Sequence, residues 1–381
     1  MIMKLGLYIH IPFCLQKCFY CDFPSFANIA DLKEAYTDAL CKEILTQGAL
    51  LPCTVIDTIY IGGGTPTTLS YGMLRQILEA IKQAFHFSEA VECSIEANPG
   101  TVNQQQLESL WQAGVNRISF GVQTFEDKLL AKIGRIHTAK EARQSVLLAQ
   151  AAGFTNINLD LMYGLPGQTL AMLEKSMQIA MDLGVAHISI YGLIVEDGTI
   201  FAAQEKQGQL ELPSEELVEQ MYDRIMSVLP EAGYERYEIS NFAKAKCYSQ
   251  HNLKYWQNQP YLGLGAAAHS YIDGCRYANT HDVKAYIAAV NSGQLVAETE
   301  EEMTSTVLME EFCFLALRTK WGIDCEKFAD NFGQSLFTVY GDVIKKMQVK
   351  NLLAVDAGSV YLTALGMKYG NQVFAEFLLD T

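Results

Sequence analysis

The sequence predicts an α/β protein with a parallel sheet, followed by a smaller and mostly helical C-terminal domain. Three observations carry this. Short apolar, β-branched runs alternate with segments of helical periodicity up to about residue 193; the alternation then fails; and half of the 381 residues are hydrophobic against 19% charged, enough for a large core.

The strand-like runs are Leu5–Ile11, Val55–Ile61, Val91–Ala97, Asn116–Val122, Asn156–Met162 and His187–Leu193, which makes six βα units. Continuous apolar strands joined by helices belong to parallel sheets, either open and doubly wound or curled into a full or partial barrel. Six units are too few for a closed eight-fold barrel, and periodicity alone leaves the open sheet and the three-quarter barrel both standing. Beyond residue 193 a helix is expected at about 214–229, then a strand-like YERYEIS. The glycine- and aromatic-rich stretch Tyr248–Tyr277 resists assignment. From about Glu298 the pattern is mostly helical, with a small strand pair at Leu352–Val355 and Ser359–Thr363.

Composition narrows the function classes. A formal net charge of −15 argues against nucleic acid as a partner, because phosphate binding wants a basic surface. The N-terminal apolar run carries His10 and Pro12 and passes into a cysteine motif that signal cleavage would destroy. The longest charge-free stretch, Trp256 to Ile272, is broken by Pro260, Gly263 and Gly265, so no membrane span is expected. A cytoplasmic protein follows from these readings.

The most specific signal is YIHIPFCLQKCFYCDF, in which Cys14, Cys18 and Cys21 make a C-x3-C-x2-C spacing. Three thiolates this close can hold three irons of a 4Fe-4S cluster and leave the fourth iron open for chemistry. A closed zinc site would show a second short-spaced Cys or His pair, and none occurs. Cys41, Cys53, Cys93, Cys247, Cys275, Cys313 and Cys325 are dispersed without pattern, as small buried apolar residues are, which speaks for a reducing compartment.

In parallel α/β architectures the active site gathers at the C-terminal ends of the strands. The unusual residues fall there in succession. The cysteines follow strand 1; Gly62-Gly63-Gly64-Thr65-Pro66 ends strand 2, and is expected to offer a ligand free backbone N–H groups; Glu96, Gln123 and Asp160 end strands 3 to 5; Tyr191 and Gly192 end strand 6. A buried carboxylate without a partner costs at least about 1–3 kcal/mol. With Arg135, the alternative is an internal ion-pair or capping network. Beside an open iron, a zwitterionic, ribose-bearing ligand fits better, and S-adenosylmethionine is one.

The motifs YIHIPFC, GGGTPT, SIEANP, RISFGVQTF, IGRIHT, NLDLMYGLPGQT and HNLKYW together resemble the radical S-adenosylmethionine superfamily. Within it they resemble the anaerobic coproporphyrinogen III oxidase (HemN)-like family, over about residues 5–270, and the tail LTALGMKYGNQVFAEFL looks like that family's C-terminal domain. The resemblance implies a partial (β/α)6 TIM-like barrel over residues 1–240, a connecting region over 241–297 and a C-terminal domain over 298–381. It implies a 4Fe-4S cluster on the three cysteines, and S-adenosylmethionine contacts at Tyr8, Tyr20, Gly63, Gly64, Thr65, Glu96, Gln123, Arg135, Asp160 and Gly192. In that scheme an electron donor reduces the cluster, which cleaves the cofactor to methionine and a 5′-deoxyadenosyl radical.

Two departures separate the family's branches. The dehydrogenase branch has a further cysteine two residues after the third and a longer N-terminal extension; here Phe23 stands at that position and 13 residues precede Cys14. His251-Asn252-Leu253-Lys254-Tyr255-Trp256 matches the H-N-x-x-Y-W motif of the heme chaperone branch. A histidine can present neutral imidazole to iron, and Tyr255 and Trp256 offer flat apolar surface to a porphyrin. The expectation is a heme chaperone that carries heme and hands it to acceptor hemoproteins, respiratory enzymes among them, with no net turnover required. The alternative is oxygen-independent coproporphyrinogen III dehydrogenase. His269 is a weaker heme-side candidate, His10 reads as a packing residue, and a homodimer is left open.

Overall fold

The computed structural model describes residues 3–294 and 296–379. Six strands carry the first half: β1 (Met3–Ile11), β2 (Thr54–Gly63), β3 (His86–Ala97), β4 (Arg117–Gln123), β5 (Asn156–Tyr163) and β6 (His187–Gly192). Between and after them come α1 (Lys33–Leu50), α2 (Tyr71–Ala84), α3 (Gln104–Gln112), α4 (Asp127–Lys132), α5 (Ala139–Ala151), α6 (Leu170–Asp182), α7 (Ile200–Lys206) and α8 (Glu215–Glu231). The strands pair in parallel in chain order, β1 to β6. A doubly wound sheet reverses its strand order at a switch point; this one never does, so the six units wind one way, as in a partial barrel.

The helix starts are legible in the residues before them. Ser70, Asn103, Thr138, Thr169, Thr199 and Ser214 each accept a first-turn backbone N–H, and Thr138 with Glu141 completes a capping box. Strand alternation then sorts side chains by face. Leu5, Leu7, Ile9 and Ile11 are buried in the main apolar cluster with residues of α1, α2, α5 and α6. The alternate residues build a concave face that is unusually polar: Thr58, Glu92, Ser94, Arg117, Ser119, Asn158 and His187 are all buried.

The sheet continues past the six units on both edges. Beside β6 lie β7 (Glu235–Arg236) and β8 (Asn241–Ala243). The stretch that resists assignment folds into a short helix, α9 (Gln250–Trp256), and β9 (Tyr261–Leu264), which pairs in parallel with β1 as a seventh parallel strand. β10 (His269–Ile272), β11 (Cys275–Asn279) and β12 (Ala297–Glu302) extend that edge antiparallel, with α10 (Val283–Ser292) between them.

A second apolar cluster forms from the C-terminal segment: α11 (Ser305–Leu317), β13 (Ile323–Asp324), α12 (Cys325–Phe332), α13 (Leu336–Val349), β14 (Leu353–Asp356), β15 (Ser359–Leu362), α14 (Ala364–Lys368) and α15 (Gly370–Ala375). The expected strand pair is present as β14–β15, and β13 adds a third strand. Of YERYEIS only Glu235–Arg236 is strand.

Candidate functional site

A cavity of about 370 Å³ opens at the C-terminal ends of the strands. Cys14, Cys18 and Cys21 line it together with Tyr20, Gly63, Gly64, Thr65, Glu96, Gln123, Arg135, Asp160 and Tyr191. Eight of the ten cofactor contacts implied by the resemblance thus surround the cysteines. Tyr8 and Gly192 stand behind the wall. Tyr8 stacks on Tyr60 at 6.3 Å and donates from its hydroxyl to His10 Nδ1 at 3.0 Å, while Gly192 lies against the ring of Tyr163. His10 is buried and its Nε2 donates to the Pro24 carbonyl at 2.9 Å, a packing role.

The cysteine loop is tied down by backbone. Cys14 N donates to Phe26 O, Phe26 N to Pro12 O, and Phe19 N to Ile133 O. The glycine run differs from expectation in one respect. Its N–H groups are not free: Gly63 N donates to Glu96 Oε2 at 3.1 Å, Gly64 N to Ile11 O at 2.8 Å and Thr65 N to Phe13 O at 2.8 Å. The run continues the β1–β2 ladder beyond the strands and holds the first turn of the cysteine loop. Gly64 is glycine because a Cβ there would lie 2.7 Å from Phe13 O, and Gly63 has φ +110° with His10 at 2.5 Å from its virtual Cβ.

The two half-buried carboxyls, Glu96 and Asp160, face the cavity without an ion pair among the described residues. Glu96 accepts from the Tyr60 hydroxyl at 2.8 Å and from Gly63 N; Asp160 accepts from Ser119 Oγ at 3.1 Å and Asn158 Nδ2 at 2.8 Å. Burial pushes the Glu96 carboxyl up to about 7, against its hydrogen bond from Tyr60, and burial raises Asp160 as well. Gln123 sits in the left-handed region, φ 66°, at the irregular end of β4; such a non-glycine residue costs about 1–3 kcal/mol and points to a constraint from the site.

These residues fit the groups that the superfamily implies. The three cysteines are free thiols partly exposed to one cavity, as a cluster needs. Arg135 donates to Cys18 Sγ at 3.3 Å and to Asn98 Oδ1 at 2.6 Å, bonds the Gly121 carbonyl, and leaves its buried Nε without a partner, a donor available to a carboxylate. The raised carboxyls suit a ligand with hydroxyl donors and positive charge. Asn98, Tyr60 and Ser119 also line the cavity and escape the sequence reading. Strand alternation puts Tyr60 on the face of Gly62, and Asn98 lies two residues past Glu96, so both were within reach of that pattern.

The residues of HNLKYW are all on α9 but diverge. This helix lies against the N-terminal halves of the strands, opposite the cysteine cavity. Gln250 N and His251 N both donate to Glu92 at 3.1 Å, and Lys254 pairs with Asp57 at 2.9 Å. His251 is fully buried: Nδ1 bonds Thr58 Oγ1 at 2.8 Å, Nε2 bonds the Tyr255 hydroxyl at 2.9 Å, and the ring stacks on Tyr60. Burial, with the nearby Lys254 and Arg117 cations, lowers its pKa to about 3. Trp256 turns the other way, under the Arg318 guanidinium at 5.4 Å and into a second cavity of about 380 Å³ shared with Phe312 and Trp321. His269 is exposed on β10, 6.5 Å from His281.

Known proteins share these features. The Radical SAM superfamily model matches residues 8–180 and the HemN C-terminal domain model residues 303–368. A protein named heme chaperone HemW from Bacillus subtilis (strain 168) is 43% identical over 97% of this chain and 98% of its own length. One of the same name from Lactococcus lactis subsp. lactis (strain IL1403) is 40% identical over 98% and 97%. The structure of coproporphyrinogen III oxidase (HemN) from Escherichia coli superposes with a TM-score of 0.87 at 23% identity, covering 99% of this chain and 90% of that one, a likeness of fold. The chain belongs to the radical SAM superfamily and, within it, to the family whose curated members are named heme chaperone HemW.

Proposed function

We propose that the protein is a heme chaperone on a radical SAM scaffold. It holds a 4Fe-4S cluster on Cys14, Cys18 and Cys21, binds S-adenosylmethionine in the strand-end cavity, carries heme at the HNLKYW helix and delivers it to acceptor hemoproteins such as respiratory enzymes. The observation that carries the reading is the near full-length similarity to proteins named heme chaperone HemW, joined with HNLKYW at residues 251–256 and Phe23 after the cysteines. In this reading residues 1–240, 241–297 and 298–381 serve as cofactor barrel, heme-motif connector and C-terminal domain. The protein works in the cytoplasm and takes electrons from a donor to its cluster; no described helix is long and apolar enough to cross a membrane.

The bound cluster would supply one electron to the cofactor's sulfonium. The chain's own residues orient that cofactor: Arg135 Nε meets a carboxylate, and Glu96 and Asp160 accept hydroxyl or ammonium protons. Heme ligation through His251 goes with displacement of α9, because both imidazole nitrogens are engaged in the closed arrangement. Trp256 and Trp321, beside the second cavity, then offer the porphyrin its flat surface.

The deciding experiment titrates heme into wild type and His251→Ala while following the Soret band. The same cluster-loaded protein is assayed anaerobically with coproporphyrinogen III and S-adenosylmethionine. A spectral change and weakened binding in the variant, without protoporphyrinogen, is the expected result. Protoporphyrinogen formed at catalytic rates would establish the dehydrogenase instead, and an unchanged Soret titration would remove His251 as ligand.

A further inference from the structure

The sulfurs of Cys14 and Cys18 are joined by one continuous arc of side-chain hydrogen bonds whose centre is Asn98, a residue outside the set assigned to cofactor or heme. On one side Asn98 Nδ2 donates to Thr65 Oγ1 at 2.8 Å, and Thr65 Oγ1 lies 3.6 Å from Cys14 Sγ. On the other, Asn98 Oδ1 accepts from Arg135 Nη2 at 2.6 Å, and Arg135 Nη1 donates to Cys18 Sγ at 3.3 Å.

The donor count fixes the direction of the arc. A threonine hydroxyl has one proton and two lone pairs. The Asn98 amide donates into a lone pair of Thr65, so the single Thr65 proton is left for the Cys14 sulfur, and an iron-bound thiolate can only accept. Thr65 is 2% exposed and its N–H is held by Phe13 O, one residue before Cys14, so the hydroxyl has little freedom to turn elsewhere. The guanidinium is a rigid fork: Nη2, held by both Asn98 Oδ1 and the Gly121 carbonyl, sets where Nη1 points, and Asn98 supplies the side-chain half of that hold.

Resting on the cluster reading above, we propose that Asn98 is a positioning residue for the iron–sulfur cluster, aiming the Thr65 hydroxyl at the Cys14 sulfur and the Arg135 guanidinium at the Cys18 sulfur. Hydrogen bonds to cluster sulfurs stabilise the more negative, reduced cluster and raise its reduction potential. Asn98 therefore sets how readily the cluster accepts its electron, acting through Thr65 and Arg135 rather than as an iron ligand.

The test is an EPR-monitored redox titration of the anaerobically reconstituted full-length protein, with iron and acid-labile sulfide determined on each sample. Asn98→Ala is expected to keep the wild-type iron content and to be reduced at a more negative potential. Thr65→Val should move the potential the same way by less, since the Cys18 arm remains. The double variant should match Asn98→Ala, because Asn98 reaches Cys14 only through Thr65. A wild-type potential in fully loaded Asn98→Ala, or singles that simply add, overturns the proposal. Should Asn98→Ala hold no cluster, Asn98→Asp decides: its carboxylate still accepts from Arg135 but draws the Thr65 proton off Cys14. Proton ENDOR of the reduced cluster then loses one exchangeable coupling; unchanged couplings overturn the proposal. Wild-type protein that takes up no iron overturns the cluster reading itself, and is told apart from a failure of Asn98 by that sample alone.

Discussion

The imidazole of His251 stacks on the ring of Tyr60, centroids 5.3 Å apart and planes 26° from parallel, and the hydroxyl of that same tyrosine donates to Glu96 Oε1 at 2.8 Å. One aromatic side chain thus spans from the HNLKYW helix below the strands to the cysteine-lined cavity above them. Tyr60→Phe keeps the stack and deletes the hydrogen bond that favours the Glu96 carboxylate. The carboxyl, already raised to about 7 by burial, moves further up and is less ionised at neutral pH. S-adenosylmethionine binding, measured by equilibrium dialysis, should weaken about tenfold at pH 7, the loss of a hydrogen bond to a charged group, and recover by about pH 8.5. An affinity that tracks wild type at both pH values removes Glu96 from the binding site.

Stability should bend with pH on two sides for opposite reasons. His251 is held neutral to about 3, below the ordinary histidine value of 6.5, so its contribution is full above 6.5 and is lost as pH falls toward 3. Glu96 is raised from 4.5 to about 7, so its contribution is full below 4.5 and is lost as pH rises through 7. Each limb has a slope of up to about 1.4 kcal/mol per pH unit for one proton. Urea denaturation at pH 5, 6, 7 and 8 should show His251→Gln flattening the loss of stability toward acid and Glu96→Gln flattening the loss of stability between about 4.5 and 7. If neither variant changes its limb, the buried groups are titrating elsewhere.

Close backbone approach at the glycine run makes a sharper prediction. A Cβ on Gly64 meets Phe13 O at 2.7 Å, and that carbonyl also accepts from Thr65 N, so Gly64→Ala has to push the chain just before Cys14. Iron and sulfide content after reconstitution should fall well below wild type while the circular dichroism spectrum is retained. Gly72→Ala is the control: it lies in the first turn of α2 with its nearest neighbour at 3.8 Å, and should load fully and gain about 0.5 kcal/mol of helix stability. Full cluster loading in both would mean that the loop yields without moving its cysteines.

What the sequence reveals here follows from how side chains meet the sheet. The six strands are legible because one face of each, such as Leu5, Leu7, Ile9 and Ile11, is packed under helices and must be apolar. The cavity is legible because cysteine, glutamate and aspartate at strand ends are too costly to place without a purpose. Tyr60 and Asn98 are legible only through alternation, two residues before Gly62 and two after Glu96; taken singly, a tyrosine inside an apolar run and an asparagine before proline look like ordinary strand and turn residues. The stretch 248–277 defeats periodicity because α9 has seven residues and β9 four, each too short to repeat its pattern. The expectation of free N–H groups at Gly63-Gly64 fails for a topological reason. Only the parallel pairing of β1 with β2 places the Ile11 and Phe13 carbonyls where the Gly64 and Thr65 donors point, and Gly63 N is taken by the Glu96 carboxylate from the neighbouring β3.

The α9 helix is anchored by charge as well as by hydrogen bonds. Lys254 is 4% exposed and its Nζ lies 2.9 Å from Asp57 Oδ1, while Glu92 accepts from the backbone of Gln250 and His251. Removing one partner of a buried pair leaves the other charge uncompensated, a loss of about 3–5 kcal/mol when both are fully buried. Asp57 keeps some contact with solvent, so Asp57→Ala should cost about 2 kcal/mol by urea denaturation. The same substitution lowers the energy needed to move α9 off the strands. If His251 reaches heme only when that helix moves, Asp57→Ala should bind heme faster than wild type in stopped-flow Soret measurements even as the protein becomes less stable. Slower binding, or an unchanged rate with the expected loss of stability, would show that heme meets His251 without the helix leaving its place.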